Sequence, residues 1–550
     1  MDKIIGFAIS KENIKCDDVD VFNANLNILT IKKNNLYINL WGIGELENCK
    51  VDGKYTLSFP ITNSLLDRNV LITINDNDII VENDWLNSIP VFYNQKELII
   101  STLSLKTLKD KQIDNEGLKT YLEFGYSALE HTAFKDVKFL RYYSKIEIND
   151  KNLTVNYKDD PVLEEGLFNE TIDEEIALQK IKTKISNVEK ESNCEIVIPT
   201  SGGYDSRVLN ILVSDKSKIR SFTYGVSKAQ NDSFESLYAK KISEILNTKW
   251  EIIELGNFHK EMNNWFKIFG FSTHLHGMYH IEFYKTILQK YSNLKNKVLL
   301  SGIIGDAWSG NVKLDPIDNY KNLSKIGYTH SVNVKEKFIS IKTDDLLKKA
   351  FFEKNSHYFN SNVKVRIIFS MRFKLMLLSY LFVIPEYLGF VTASPFLDFD
   401  VVLSMLKIPD DRRKDRLWQK EFFKRNNLDI DSLNLNVNRE NYLDYQSFKN
   451  MKFEDLDIKL MGKFVDKKYL ENINKLKKVN YFWAEKVMPK INNFSKIKIK
   501  LINNGYTRRF IEKVFFHKKN LETYQKDRVL PRLSSYYVIK SIEKALINDK

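Results

Sequence analysis

The chain has 550 residues, 43% hydrophobic and 28% charged, an ordinary globular balance with room for a large core and at least two domains. Its three cysteines, Cys16, Cys49 and Cys194, lack metal-type spacing and argue against a disulfide framework. With no secretory layout at the N-terminus, they predict a reducing, cytoplasmic setting. The net charge of +13 is unevenly placed, with 17 basic and 22 acidic residues in 1–150 against 34 basic and 19 acidic in 401–550. That basic end reads either as a contact for an anionic partner or as a lysine-rich solvated helical surface.

Residues 1–150 read mainly as strands, for example 36–41, 70–74 and 79–81, separated by turns such as Asn75-Asp76-Asn77-Asp78. A helix is expected near 115–122, and a strand pair over 142–148 and 153–157. From about residue 172 the pattern changes. An amphipathic helix over 172–188 precedes short strands at 196–198, 219–224, 250–254 and 298–300, alternating with helices, which predicts a parallel sheet. Beyond about residue 340 the chain reads as mostly helical. The longest apolar stretch, 375–391, follows Arg372 and Lys374 and contains Pro385 and Glu386, so it reads as a buried helix and not a transmembrane span.

The strand at 196–198 runs into Thr200-Ser201-Gly202-Gly203-Tyr204-Asp205-Ser206 and then a helix. Gly202 and Gly203 let backbone N–H groups approach anionic oxygens closely. Ser201 and Ser206 add hydroxyl donors, and the helix N-terminus adds partial positive charge. Asp205 would repel phosphate, so it makes sense there as a ligand for a hard cation that bridges phosphates. A second strand, at 298–300, ends in Ser301-Gly302-Ile303-Ile304-Gly305-Asp306, which offers a second carboxylate at the same edge of the sheet.

The first loop resembles the pyrophosphate loop of ATP pyrophosphatases, in particular the asparagine synthetase-like family, which carries Ser-Gly-Gly-x-Asp-Ser. The second resembles that family's Leu-Ser-Gly-x-Gly-Gly-Asp-Glu. Further resemblances lie in Ser221-Phe222-Thr223-Tyr224-Gly225, in Phe124-Gly125-Tyr126, in Asp84 to Tyr93 and in Ser394-Pro395-Phe396-Leu397-Asp398. The resemblance covers most of residues 70–440. It implies an N-terminal α+β glutaminase-like sandwich (1–165), an α/β parallel-sheet ATP pyrophosphatase domain (170–440) and, beyond the family's reach, a basic helical extension (441–550). It also implies use of ATP and Mg²⁺. Thr200, Ser201, Gly202, Gly203, Asp205, Ser206, Tyr224 and Gly302 would contact the nucleotide, Tyr224 through its backbone at the adenine, while Asp205 and Asp306 would hold the metal.

Several residues depart from that pattern. Glutamine-dependent members expose an N-terminal cysteine as nucleophile, whereas residue 2 here is Asp2. The sandwich is therefore expected to lack glutaminase activity, as in β-lactam and lasso-peptide macrolactam synthetases. Ile303 stands where asparagine synthetases have Glu and β-lactam synthetases have Tyr. The family lysine of Arg-Pro-Lys-x-Gly falls on Asn441 by local match, with Arg439 retained; a shifted alignment brings Lys449 or Lys452 there instead. Arg439 joins Asp205 and Asp306 as the expected catalytic set.

The resemblance implies an ATP-dependent ligase that adenylates a small-molecule, sugar or peptide carboxylate and joins it to an amine, releasing AMP and pyrophosphate. A degenerate nucleotide- or partner-binding relative is the alternative. A nucleic-acid-modifying enzyme, suggested by the basic end, is disfavoured by the two-domain layout. Thr273-His274-Leu275-His276-Gly277-Met278-Tyr279-His280 lacks the acidic or Cys residues that would complete a metal set, so a structural or substrate-contacting role is expected there.

Overall fold

The computed structural model describes residues 1–192, 195–327, 332–444, 453–478 and 530–547. The N-terminal part builds two six-stranded sheets. One has the order Val137–Phe139, Phe92–Asn94, Ile99–Ser101, Lys3–Ser10, Leu36–Ile43, Asn27–Lys33. The other runs Leu153–Tyr157, Ser144–Ile148, Ile79–Asn83, Val70–Ile74, Lys54–Thr56, Lys50–Val51. All pairings in both are antiparallel. Alternating residues of the two sheets, among them Phe7, Ile38, Ile72, Val81 and Ile146, share one apolar core, so the sheets pack face to face.

Strand Lys3–Ser10 is buried along its whole length. Its other face, with Ile5 and Ala8, joins Trp41 in the large core that continues into the second half of the chain. This explains why period-two alternation does not reveal it. A strand covered on both faces reads as an apolar run.

Helix Glu174–Glu191 leads into a five-stranded parallel sheet of order Lys249–Ile252, Ile219–Thr223, Ile196–Pro199, Val298–Leu300, Val391–Ala393. The chain first winds outward in one direction from Ile196–Pro199. It then returns to add Val298–Leu300 on the opposite side. The loops after these two neighbouring strands diverge, and that switch point is where an open α/β sheet forms its ligand crevice.

Helices Val363–Leu378 and Tyr380–Tyr387 carry most of the apolar stretch expected to be a buried helix. The stretch Val363–Tyr387 is long and apolar enough to cross a membrane, but it lies packed inside the fold, its most apolar window 83% buried. Its far end supplies strand Val391–Ala393, which the helical reading of that stretch does not anticipate.

Buried ion pairs join the two halves. Glu386 takes Lys3 at 2.6 Å and Arg68 at 3.0 Å. Arg372 grips both oxygens of Asp160, at 2.7 and 2.8 Å, and donates to the Trp85 carbonyl. Near the C-terminus, helix Leu530–Ile547 is packed into the core through Leu533, Tyr537, Val538 and Ile542. This corrects the solvated-surface reading for that helix; the basic stretch 479–529 lies outside the described residues.

Candidate functional site

Strand Ile196–Pro199 ends in a loop whose hydrogen bonds are mostly internal. Gly203 N–H donates to Ser201 Oγ at 3.1 Å, and Ser201 N–H donates to Ser206 Oγ at 3.2 Å. Gly203 caps helix Tyr204–Leu212, so Asp205 sits in that helix's first turn. Phe234 packs against Gly202: a Cβ there would lie 2.5 Å from the ring. Glycine is required at that position by the ring as well as by any ligand.

Thr200 is 2% exposed, and its hydroxyl is engaged inside the protein. It lies 3.1 Å from the Ile198 carbonyl and 3.0 Å from Ser221 Oγ, and it accepts from Asn210 Nδ2 at 2.9 Å. Its side chain braces the loop. Tyr224 follows strand Ile219–Thr223 at the same edge, its ring packed against Tyr279, His280 and Phe283.

The second loop meets the first across the switch point. Asp306 N–H donates to Asp205 Oδ2 at 3.0 Å. A Cβ on Gly302 would lie 3.1 Å from Asp205 Cβ, and one on Gly305 would lie 2.7 Å from its carboxylate. The two loops thus interlock around Asp205 through glycines. Ile304 adopts φ +64°, a left-handed conformation that β-branched residues rarely take, at the place of the second glycine in the motif quoted above. Ile303 is 6% exposed and apolar, so it can move no proton.

Burial, and next the neighbouring Asp306 carboxylate, push the Asp205 pKa up to about 8; the Asp306 N–H, Arg416 and Lys374 offset this only in part. Lys374 Nζ lies 3.5 Å from Asp306 Oδ2. Arg416 stacks on Tyr204, 4.0 Å from the ring centre. Neither cation belongs to the set expected from sequence. The signal for Lys374 was available: a lysine inside an apolar buried helix needs a carboxylate partner. Arg416 carried no local signal, since only the tertiary fold brings it to Tyr204.

The Arg439 guanidinium stacks on Phe234 at 4.1 Å, on a segment tied down by Phe234 N–H donating to the Asn438 carbonyl at 2.8 Å. The Phe234 ring, packed on Gly202, therefore links it to the phosphate loop. Lys449 and Lys452 lie outside the described residues.

Asp205 and Asp306 fit a hard divalent cation. Two carboxylates are held together where burial raises the pKa of one of them, and a cation that keeps phosphate and water ligands needs few protein oxygens. Among the described residues no group of three or more His, Cys, Asp or Glu forms a fuller metal cage.

No protein-family model and no curated protein matches the chain. Among solved structures it is similar to an NH3-dependent NAD synthetase from Campylobacter jejuni subsp. jejuni NCTC 11168 in complex with the nitrate ion. That similarity has 17% identity and a TM-score of 0.21, and covers 37% of this chain and 94% of that one. It is too low to add to the geometry. What the coordinates define is a mixed α/β protein with two antiparallel sheets and one parallel sheet. A carboxylate pair flanked by Lys374 sits at the parallel sheet's switch point.

Proposed function

We propose that the protein is an ATP-dependent ligase of asparagine synthetase-like type, which activates a carboxylate as its adenylate and transfers the acyl group to an amine. The observation that carries this reading is the interlocked pair Asp205 and Asp306 at the switch point. ATP would lie with its phosphates over Ser201 to Ser206, where backbone N–H groups and a helix N-terminus favour anions. Asp205 and Asp306 would hold Mg²⁺, which when bound neutralises the departing pyrophosphate.

In the first step a carboxylate oxygen attacks the α-phosphorus, and the bond to the β-phosphate breaks. Lys374 and Arg416 place positive charge beside the site, where charge developing on the phosphoryl oxygens is stabilised. In the second step the amine, after giving one proton to solvent, attacks the acyl carbon through its free nitrogen lone pair, the bond to AMP breaks, and the nitrogen's surplus proton passes to solvent. Glutamine has no part in this scheme. Both Asp2 carboxylate oxygens are already engaged, Oδ1 by Glu45 N–H at 2.9 Å and Oδ2 by Asn48 at 2.8 Å.

The test is AMP release with candidate carboxylate and amine pairs, with Asp205→Ala as control. No AMP from any pair, together with no ATP binding, would overturn the reading. The buried apolar Ile303 favours a second reading, a nucleotide-binding protein without turnover. ATP turnover that Asp306→Ala abolishes would exclude it.

A further inference from the structure

The motif Thr273 to His280, singled out in the sequence, lies beyond Tyr224 in a cluster of rings that ATP chemistry does not use. Rings of His276 and Tyr279 lie 5.8 Å apart, those of His276 and Tyr537 5.9 Å, and those of His280 and Tyr380 5.3 Å. Into this cluster comes Asp444. Its place is set by backbone: Tyr442 and Leu443 N–H both donate to the Val226 carbonyl, at 2.7 and 3.1 Å. Val226 is two residues beyond Tyr224, so Asp444 is pinned at the same sheet edge as the phosphate loop.

The carboxylate is poorly matched to its surroundings. Its Oδ1 is buried and makes no hydrogen bond. Its Oδ2 is 3.8 Å from His276 Nδ1, beyond hydrogen-bond distance, and among the described residues no other basic group lies within 4 Å. Burial raises its pKa, and His276 only partly opposes this. Tyr279 and Tyr537 lie against the His276 ring whose Nδ1 faces Asp444, and the phenols of Tyr279, Tyr380 and Tyr537 are pushed upward, first by burial and also by the Asp444 charge. A second orphan lies by the same Tyr380 ring: His280 is 8% exposed, and its Nδ1 has no partner. His276 is 29% exposed, which leaves a way in from solvent.

A carboxylate oxygen that is buried without a hydrogen bond, as Asp444 Oδ1 is, is unfavourable unless a cation meets it. Aromatic faces attract organic cations. A primary ammonium carries three N–H donors, and the unbonded Asp444 oxygen is an acceptor for one of them. We propose that Asp444, walled by Tyr279, Tyr380 and Tyr537 and backed by His276 and His280, is the subsite for a protonated primary amine, the acceptor class of substrate. This rests on the ligase reading, whose second substrate it specifies, but binding can be measured without turnover.

The experiment uses the full chain and two probes of matched shape, the diamine cadaverine and its neutral diol counterpart pentanediol, titrated calorimetrically. Wild-type protein is expected to bind the diamine at least about tenfold more tightly than the diol, a difference of about 1.4 kcal/mol. Asp444→Asn should erase that preference and leave ATP affinity within about twofold. Should Asp444→Asn fail to fold, the wild-type comparison stands without it, and Tyr537→Leu should weaken the diamine about threefold or more. Equal affinity for the two probes, no binding of either, or an undiminished preference in folded Asp444→Asn would overturn the proposal. Loss of ATP binding with the amine preference intact would instead overturn the ligase reading and leave the cation subsite standing.

Discussion

Two buried charge clusters, one between the halves of the molecule and one within the parallel-sheet half, are built in opposite ways. At Glu386, one carboxylate faces two cations, Lys3 and Arg68, and also accepts from Thr392. Burial alone would raise the pKa of Glu386, but Arg68 and Lys3 overcome it and hold the carboxyl below its usual range. At Asp205, two carboxylates face each other, and burial pushes one up to about 8 in spite of Lys374 and Arg416. The first cluster is satisfied by the protein itself and seals the sandwich to the sheet. The second is left short of positive charge by the protein's own residues. A closed network marks structure, whereas a carboxylate pair left short of cations at a switch point marks a ligand.

Substitutions separate the two clusters. Asp205→Ala should lower AMP release by at least about a thousandfold through loss of a metal ligand and the charge it places. Asp205→Asn should abolish ATP binding yet leave the melting temperature of the ligand-free protein unchanged or higher, because it replaces a buried carboxyl whose ionisation burial and Asp306 oppose with a neutral group of the same shape. A clear drop in melting temperature would count Asp205 as structural. Glu386→Gln should do the reverse, costing about 3–5 kcal/mol in denaturant unfolding by leaving two buried cations uncompensated. Loss of less than about 1 kcal/mol would show that the network is not closed.

Lys374→Met should reduce turnover on the order of a hundredfold while the fold persists, since it removes one electrostatic group beside the reaction. Arg439→Gln should cost less than about tenfold, because its guanidinium stacks on Phe234. A larger effect for Arg439 than for Lys374 would reverse the assignment of the catalytic cation.

A smaller effect concerns pH. Burial, then the proximity of His276, holds the pKa of His259 and of His280 near 3, below the usual 6.5. Between those values the unfolded chain binds protons that the folded chain does not, so stability is lost as pH falls below 6.5. Each imidazole contributes up to about 1.4 kcal/mol per pH unit. Denaturant unfolding from pH 7 to 5 measures this, and His259→Gln with His280→Gln should flatten the slope.

Strand periodicity and turn residues made many elements legible, from Val70–Ile74 to Ile196–Pro199 and Val298–Leu300. Lys3–Ser10 escaped because both its faces are buried, and Val391–Ala393 escaped because it is a short end to a long apolar helical stretch. Of the candidate site, the two aspartates and the glycines were readable because a phosphate loop is a local device, its residues contiguous in the chain. Thr200 belongs to the same contiguous run, and its hydroxyl is engaged with Asn210 and Ser221, which lie further along the chain.

The sequence by itself determined the expectation of a parallel sheet and of a glycine-rich loop pair carrying Asp205 and Asp306, because each depends on a short run of residues. Only the tertiary structure decided which cations serve that site and where Asp444 stands. Lys374, Arg416 and Asp444 are distant in the chain from the loops they approach. Electrostatic partnership depends on distance in space and on burial, and neither is written in local spacing.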